Sequence, residues 1–240
     1  MKRIALWLLL PLLGWESLPA VKAQEVLSGC TREALKGITD KYFTALEKRD
    51  PSGLPLAANV KFTENGVELA VGKGFWQTAG RPLLKRTLID TVKCGTHTNA
   101  VMEEPFSSKT VGSPMAYPWI KPQPMPAEGT IRPILFGVRL RVENQKISEI
   151  ETIIAREGDY IFNAAGLLAT KDQDWDSTLP PEQRSSRLAM IAANDYFDMF
   201  AAEPRVDTPF ATACERWENG CGSPKYSRDF SITERNRDCS

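Results

Sequence analysis

The chain has 240 residues, with 30 Lys+Arg balanced by 30 Asp+Glu, one histidine and five cysteines. Zero net charge excludes the basic face that a nucleic-acid binder needs. A single histidine excludes a multi-histidine metal centre, and the odd cysteine count cannot be closed by pairing within one chain.

Residues 1–23 read as a signal peptide. Lys2 and Arg3 precede an apolar run from Ile4 to Trp15, and Val21-Lys22-Ala23 places small residues at the cleavage positions. The run is too short to span a bilayer. The competing lipoprotein reading, on Leu27-Ser28-Gly29-Cys30, places its cysteine far beyond the apolar run. A secreted or periplasmic protein follows, with no membrane association after cleavage. Its compartment is one in which cysteines tend to pair. Neither a Cys-x-x-Cys motif nor an Asn-x-Ser/Thr acceptor occurs.

Residues 24–168 form the first expected unit. Leu35, Ile38, Tyr42, Ala45 and Leu46 recur at helical spacing across 31–48, behind Thr31 as N-cap. A strand then runs into Glu64-Asn65-Gly66, where Asn-Gly predicts a tight reversal. A short helix is expected near Phe75-Trp76, and a strand over 91–103. Residues 104–130 look like an insertion. Its six prolines, with Phe106, Tyr117 and Trp119, suggest a stiff segment able to cover a pocket. Ile134 to Val142 alternates as a half-buried strand, Glu143-Asn144-Gln145-Lys146 is a hairpin turn, and Ile147 to Ala155 is the partner strand. In that last strand Glu149 and Glu151 share a face with Ile147 and Ile153. One helix followed by a curved antiparallel sheet is an α+β roll.

Residues 169–184 read as a linker and 185–240 as a partial second unit. Residues 40–66 and 194–220 align without a gap and share seven identities: Tyr42/Tyr196, Phe43/Phe197, Pro55/Pro209, Ala57/Ala211, Glu64/Glu218, Asn65/Asn219 and Gly66/Gly220. This pattern predicts a duplicated roll with its second copy incomplete. A second helix is expected over 185–202.

The order Lys41-Tyr42-Phe43, then Phe62-Thr63-Glu64-Asn65-Gly66, resembles the start of the nuclear transport factor 2-like, or SnoaL-like, cone-shaped roll. Three further pieces are similar to a family of secreted fungal and bacterial proteins of unassigned function within it. They are Cys94-Gly95-Thr96-His97-Thr98, Ile150-Glu151-Thr152 with Glu157-Gly158-Asp159-Tyr160-Ile161-Phe162-Asn163-Ala164, and Cys214-Glu215-Arg216-Trp217-Glu218-Asn219-Gly220. The resemblance implies a cone with a pocket between helix and sheet. Relatives use such a pocket for isomerase, lyase or cyclase steps, for epoxide hydrolysis, or for binding alone, so fold does not fix function. Arg139-Leu140-Arg141 lacks the Arg-x-Asp of the epoxide hydrolases.

The acid–base candidates are His97, the sole imidazole, and the carboxylates Glu64 and Glu151. Each has a plainer reading: a surface histidine, a carboxylate serving its turn, and a glutamate paired with Arg139 or Arg141. Tyr42, Trp76, Arg156 and Trp119 are the substrate-binding candidates. Cys30 and Cys94 are expected to pair, as the resemblance also implies; a nucleophilic Cys94 beside His97 is the competing reading. No metal or cofactor is expected. The function expected is binding of a small apolar organic molecule, with a metal-free isomerase, lyase or cyclase step. The rival is a non-catalytic interaction module acting as a homo-oligomer or through face-to-face pairing of its two units.

Overall fold

The structure is a computed structural model that describes residues 29–111, 124–183, 186, 195–198 and 216–223. Helix α1, Arg32–Glu47, starts where Thr31 Oγ1 accepts the Ala34 N–H at 3.2 Å, with Glu33 in the first turn. Its apolar stripe, Leu35, Ile38, Tyr42, Phe43 and Leu46, is buried. The strands are β1 (Leu56–Glu64), β2 (Val67–Glu68), β3 (Pro82–Asp90), β4 (Gly95–Pro105), β5 (Ile131–Glu143) and β6 (Lys146–Ala155). They form one sheet in the order β2-β1-β6-β5-β4-β3.

Both hairpin turns named in the sequence are present. Asn65 and Gly66 take φ of 48° and 81°, and Asn144 and Gln145 take 50° and 62°. These left-handed pairs match the twist of the strands they join. The Asn65 side chain also fastens its turn to the neighbouring strand: its Nδ2 donates to the Ile154 carbonyl, and its Oδ1 accepts the Ile154 N–H at 2.7 Å.

Three expectations need correction. The sheet is mixed, because β1 lies parallel to β6 while the other pairings are antiparallel. Residues 91–94 form a turn between two strands, so Cys94 (φ 53°) precedes β4 and does not lie in it. The third concerns β6. Arg141 pairs with Glu149 but Val142 with Ile147, so Ser148 is an extra residue. A one-residue bulge exchanges the two faces of a strand. Ile147 therefore points into the core, while Glu149, Glu151 and Ile153 point outward.

The bulges at Ser148, in β1 and in β3 accompany the curvature of the sheet. Its concave face closes on α1 and on a 3-10 turn, Gly74–Gln77. Tyr42, Phe43, Phe62, Phe75, Trp76 and Phe136 fill this core. Tyr42 meets Trp76 edge-on at 5.5 Å and Phe43 at 5.7 Å. Cys30 and Cys94 are joined by a disulfide, as expected, tying the start of α1 to the turn before β4. About two turns into α1, the Thr39 and Thr96 hydroxyls bond at 3.1 Å and continue that attachment.

A second, smaller cluster lies on the outer face. Helix α2, Ala164–Leu168, capped by Asn163, packs with Phe162 over Val101, Leu135 and Ala155. Arg86 fastens the chain beyond it. Its guanidinium donates to the Thr170 carbonyl and to Thr170 Oγ1, and stacks at 5.0 Å on the Trp175 ring.

The described part of the expected second unit, 185–240, is short. It comprises α3, Asp195–Asp198, and a hairpin of β7 (Arg216–Glu218) and β8 (Cys221–Ser223). The hairpin docks beside α2: Asn219 Nδ2 donates to the Tyr160 carbonyl, and the Asn163 N–H donates to the Asn219 carbonyl. Cys221 is disulfide-bonded. Of the expected 185–202 helix, residue 186 is irregular, and apart from Asp195–Asp198 the rest lies outside the described residues. No helix among them is long and apolar enough to cross a membrane.

Candidate functional site

The sequence candidates divide between the two faces of the sheet. His97 and Glu151 are exposed on the outer face. His97 Nε2 bonds Asn99 Oδ1 at 3.2 Å, and Arg139 donates to Glu151 at 2.8 Å and to Glu149 at 2.7 Å. The paired-surface reading of Glu151 is therefore the arrangement found. The Ser148 bulge is its cause, since without that extra residue Glu151 would stand on the core side.

Tyr42 and Trp76 lie on the concave side as core residues, at 0% and 2% exposure. The Tyr42 hydroxyl and the Trp76 indole N–H are buried without a hydrogen-bond partner, a costly condition for a polar group. Burial, with a smaller contribution from the charge of Glu64, pushes the Tyr42 hydroxyl well above the ordinary tyrosine range.

Glu64 ends β1 on the same side. Its Oε2 accepts the Phe75 N–H at 2.9 Å, which anchors the 3-10 turn. Gly74 makes that approach feasible. It has φ of 63°, and a Cβ there would stand 2.6 Å from the Glu64 carboxylate. Burial raises the Glu64 pKa above the ordinary glutamate value. The Phe75 N–H and the Arg156 charge partly offset the rise, while the Glu104 charge adds to it. A carboxyl with a raised folded pKa holds its proton more tightly in the native state, so stability falls as pH rises from the unfolded pKa through the folded one. Glu64→Gln, which keeps an acceptor for Phe75, should melt at or above the wild-type temperature at pH 7. The gap should close below pH 4. A variant melting clearly lower at pH 7 would contradict this account.

Glu104 is the group that sequence reading missed. It is 3% exposed and accepts three hydrogen bonds: Thr78 Oγ1 at 2.6 Å, Arg156 Nε at 2.6 Å and Arg156 Nη2 at 3.0 Å. The signal was present, because Thr96, Thr98, Ala100, Met102 and Glu104 continue one inward-facing alternation. Reading Glu104 as the start of an insertion concealed it. The Arg156 guanidinium lies 5.9 Å from the centre of the Phe75 ring. Thus Glu64, Phe75, Arg156, Glu104 and Thr78 form one connected group along the 3-10 turn.

Two of these residues, Glu104 and Arg156, line a cleft at the end of the roll. Glu104, Phe106, Ser107, Thr110, Val111, Arg132, Ile134, Arg156 and Glu157 line it; it is shallow and open, with about 10 Å³ of enclosed space. Arg132 pairs with Glu157 at its lip at 2.7 Å. Of the proline-rich segment, Phe106, Ser107, Thr110 and Val111 form one wall, whereas Trp119 lies outside the described residues. Among the described residues no group of three His, Cys, Asp or Glu is placed to hold a metal ion.

Residues 183–238 match the family model of a domain of unknown function, DUF8021. No curated protein matches the sequence. Among solved structures, a candidate polyketide cyclase from Xanthomonas campestris pv. campestris is similar at 15% identity, covering 51% of this chain and 90% of that one, with a TM-score of 0.38. AclR, a candidate hydroxylase from Streptomyces galilaeus, is similar at 13% identity, covering 52% and 90%, with a TM-score of 0.38. A de novo designed protein with a curved β-sheet is similar at 15% identity, covering 52% and 87%, with a TM-score of 0.32. Likenesses at this level assign no activity to this chain.

Proposed function

We propose that this is an exported, SnoaL-like small-molecule-binding protein. Its organic ligand enters the cleft at the end of the roll, and Glu64 is the proton acceptor for a step of the isomerase, lyase or cyclase type. The observation that carries this reading is that a desolvated carboxylate, Glu64, lies behind the cleft and is coupled electrostatically to two of its lining residues. Those residues are Glu104 and Arg156, and burial raises the pKa of Glu64. The unpaired Tyr42 hydroxyl and Trp76 N–H supply two buried donors on the same side of the sheet. Export is supported by the N-terminal signal pattern and by disulfides at Cys30, Cys94 and Cys221. Duplication is supported by the two Glu-Asn-Gly hairpins, whose Asn and Gly φ angles are 48° and 81° in the first and 47° and 83° in the second.

The interaction-module reading rests on a different observation. The interior of the roll is filled by aromatic side chains, and Leu88 and Ile153 stand 55% and 66% exposed on the outer face.

One experiment separates the two. The protein is incubated with metabolite extract, the bound mass is identified by native mass spectrometry, and that compound is assayed for turnover. Glu64→Gln should retain the ligand and lose at least about a hundredfold in turnover, the usual worth of a general base. His97→Ala and Glu151→Gln, on the opposite face, should leave turnover within about twofold of wild type. Loss of turnover in the outer-face variants, with Glu64→Gln unaffected, would overturn the assignment.

A further inference from the structure

Residues 69–81 carry the chain from β2 to β3 as a strap on the concave side, with the Gly74–Gln77 turn in its middle. Phe75 and Trp76 are its inward side chains, each 2% exposed. Phe75 packs on Phe136 with ring centres 5.2 Å apart, and Trp76 meets Tyr42. The polar attachments of the strap come from three separate parts of the roll. Glu64 on β1 accepts the Phe75 N–H. Arg49, just past α1, donates from Nε to the Ala79 carbonyl at 2.9 Å and from Nη2 to the Thr78 carbonyl at 3.3 Å. On β4, Glu104 accepts the Thr78 hydroxyl and the Glu103 carbonyl accepts the Gly80 N–H at 2.8 Å.

The polar groups that closure leaves badly placed all lie against this one segment. Trp76 Nε1 belongs to it, and the Tyr42 hydroxyl belongs to the ring that Trp76 touches; both are buried without a partner. The Glu64 carboxylate, which anchors the turn, is desolvated there. Water would satisfy all three groups. Lifting residues 72–80 admits it and breaks no strand pairing. Gly72, at φ 92°, starts the segment with a residue free to change its backbone angles.

We infer that residues 72–80 open as a unit ahead of global unfolding, with Arg49, Glu64 and Glu104 as the latches that hold them shut. Opening brings solvent to the Glu64 carboxylate and the Tyr42 hydroxyl while α1 and the sheet stay in place. It requires no ligand and is independent of the function proposed above.

Native-state hydrogen exchange of the full chain, read by mass spectrometry, tests this directly. Amides in 75–80 should exchange at least about 100-fold faster than those of β5. Their rates should also depend less on urea, because local opening exposes less surface than unfolding. Two variants separate the local event from the global one. Thr39→Val removes the hydroxyl contact to Thr96, which the open state keeps. It should speed exchange in β5 by about fivefold, the net worth of one hydrogen bond, and leave 75–80 within about twofold of wild type. Arg49→Met removes a latch from an exposed position. It should speed 75–80 and β5 alike by about fivefold, because local opening and global unfolding both break that latch. Exchange in 75–80 that matches β5 in rate and urea dependence, or that rises with β5 in Thr39→Val, overturns the inference. An unchanged rate for 75–80 in Arg49→Met overturns the latch.

Discussion

Replacing Arg156 by methionine should destabilise the protein by about 3–5 kcal/mol, the usual cost of leaving a buried charge without its partner. Glu104 is 3% exposed, and two of its three hydrogen bonds come from Arg156. Methionine keeps the length and the apolar contact of the arginine stem, so the change removes charge and donors more than volume. Thr78 alone would then support the carboxylate, through one bond from its hydroxyl. The control is the double variant Glu104→Leu with Arg156→Met. Removing both charges abolishes the desolvation problem along with the attraction, so much of the lost stability should return. Urea denaturation of these three proteins and of Glu104→Leu alone gives the coupling energy directly. An Arg156→Met variant within about 1 kcal/mol of wild type would show that Glu104 relaxes to water, as an exposed surface pair does.

The second large effect concerns the Cys30–Cys94 disulfide. It closes a loop with a sequence separation of 64 residues. Confining a loop of that length in the unfolded chain stabilises the fold by about 4 kcal/mol in the chain-entropy model. The folded state supplies a further reason to expect a strong effect. The bond holds the residue just before the α1 N-cap against the turn before β4, and the Thr39–Thr96 hydroxyl contact continues the same attachment. The variant Cys30→Ala with Cys94→Ala, which spares the other cysteines, should lose about that much stability in equilibrium denaturation. An unchanged midpoint would mean that helix packing alone orders the start of the chain.

Much of the roll is legible in the sequence because its signals are local. Thr31 and the stripe from Leu35 to Leu46 define α1, and Asn65-Gly66 and Asn144-Gln145 define the hairpins, since few residues tolerate positive φ in such turns. The expectations that failed depend on longer-range or single-residue events. Pairing of β1 beside β6 joins residues 88 or more positions apart, such as Glu64 and Thr152, which no local pattern records. Strand β3 begins with a proline and carries Lys85 and Arg86, so it does not read as a half-buried strand. Arg86 is nonetheless 8% exposed, because Thr170 and Trp175 cover it.

The site was less legible than the fold for the same reason. Alternation in β6 assigns Glu151 to the face of Ile147, and one bulged serine reverses that assignment. Proline content marks residues 104–130 as an insertion, yet Glu104 completes the inward register of β4 and Arg132 stands opposite it on β5. Tyr42 and Trp76 are legible as inward-facing aromatics. That their polar atoms go without partners depends on packing that only the assembled roll reveals.

The central claim, that a small organic molecule occupies the cleft at the end of the roll, is tested most directly by filling that cleft. Val111→Trp places an indole against Phe106 and Ile134 from a partly exposed wall position, and Leu88→Trp makes the same change on the outer face. Native mass spectrometry after incubation with metabolite extract should show a bound mass on wild type and on Leu88→Trp, and none on Val111→Trp. A ligand retained by Val111→Trp and lost from Leu88→Trp would place the binding surface on the outside of the sheet and contradict the account.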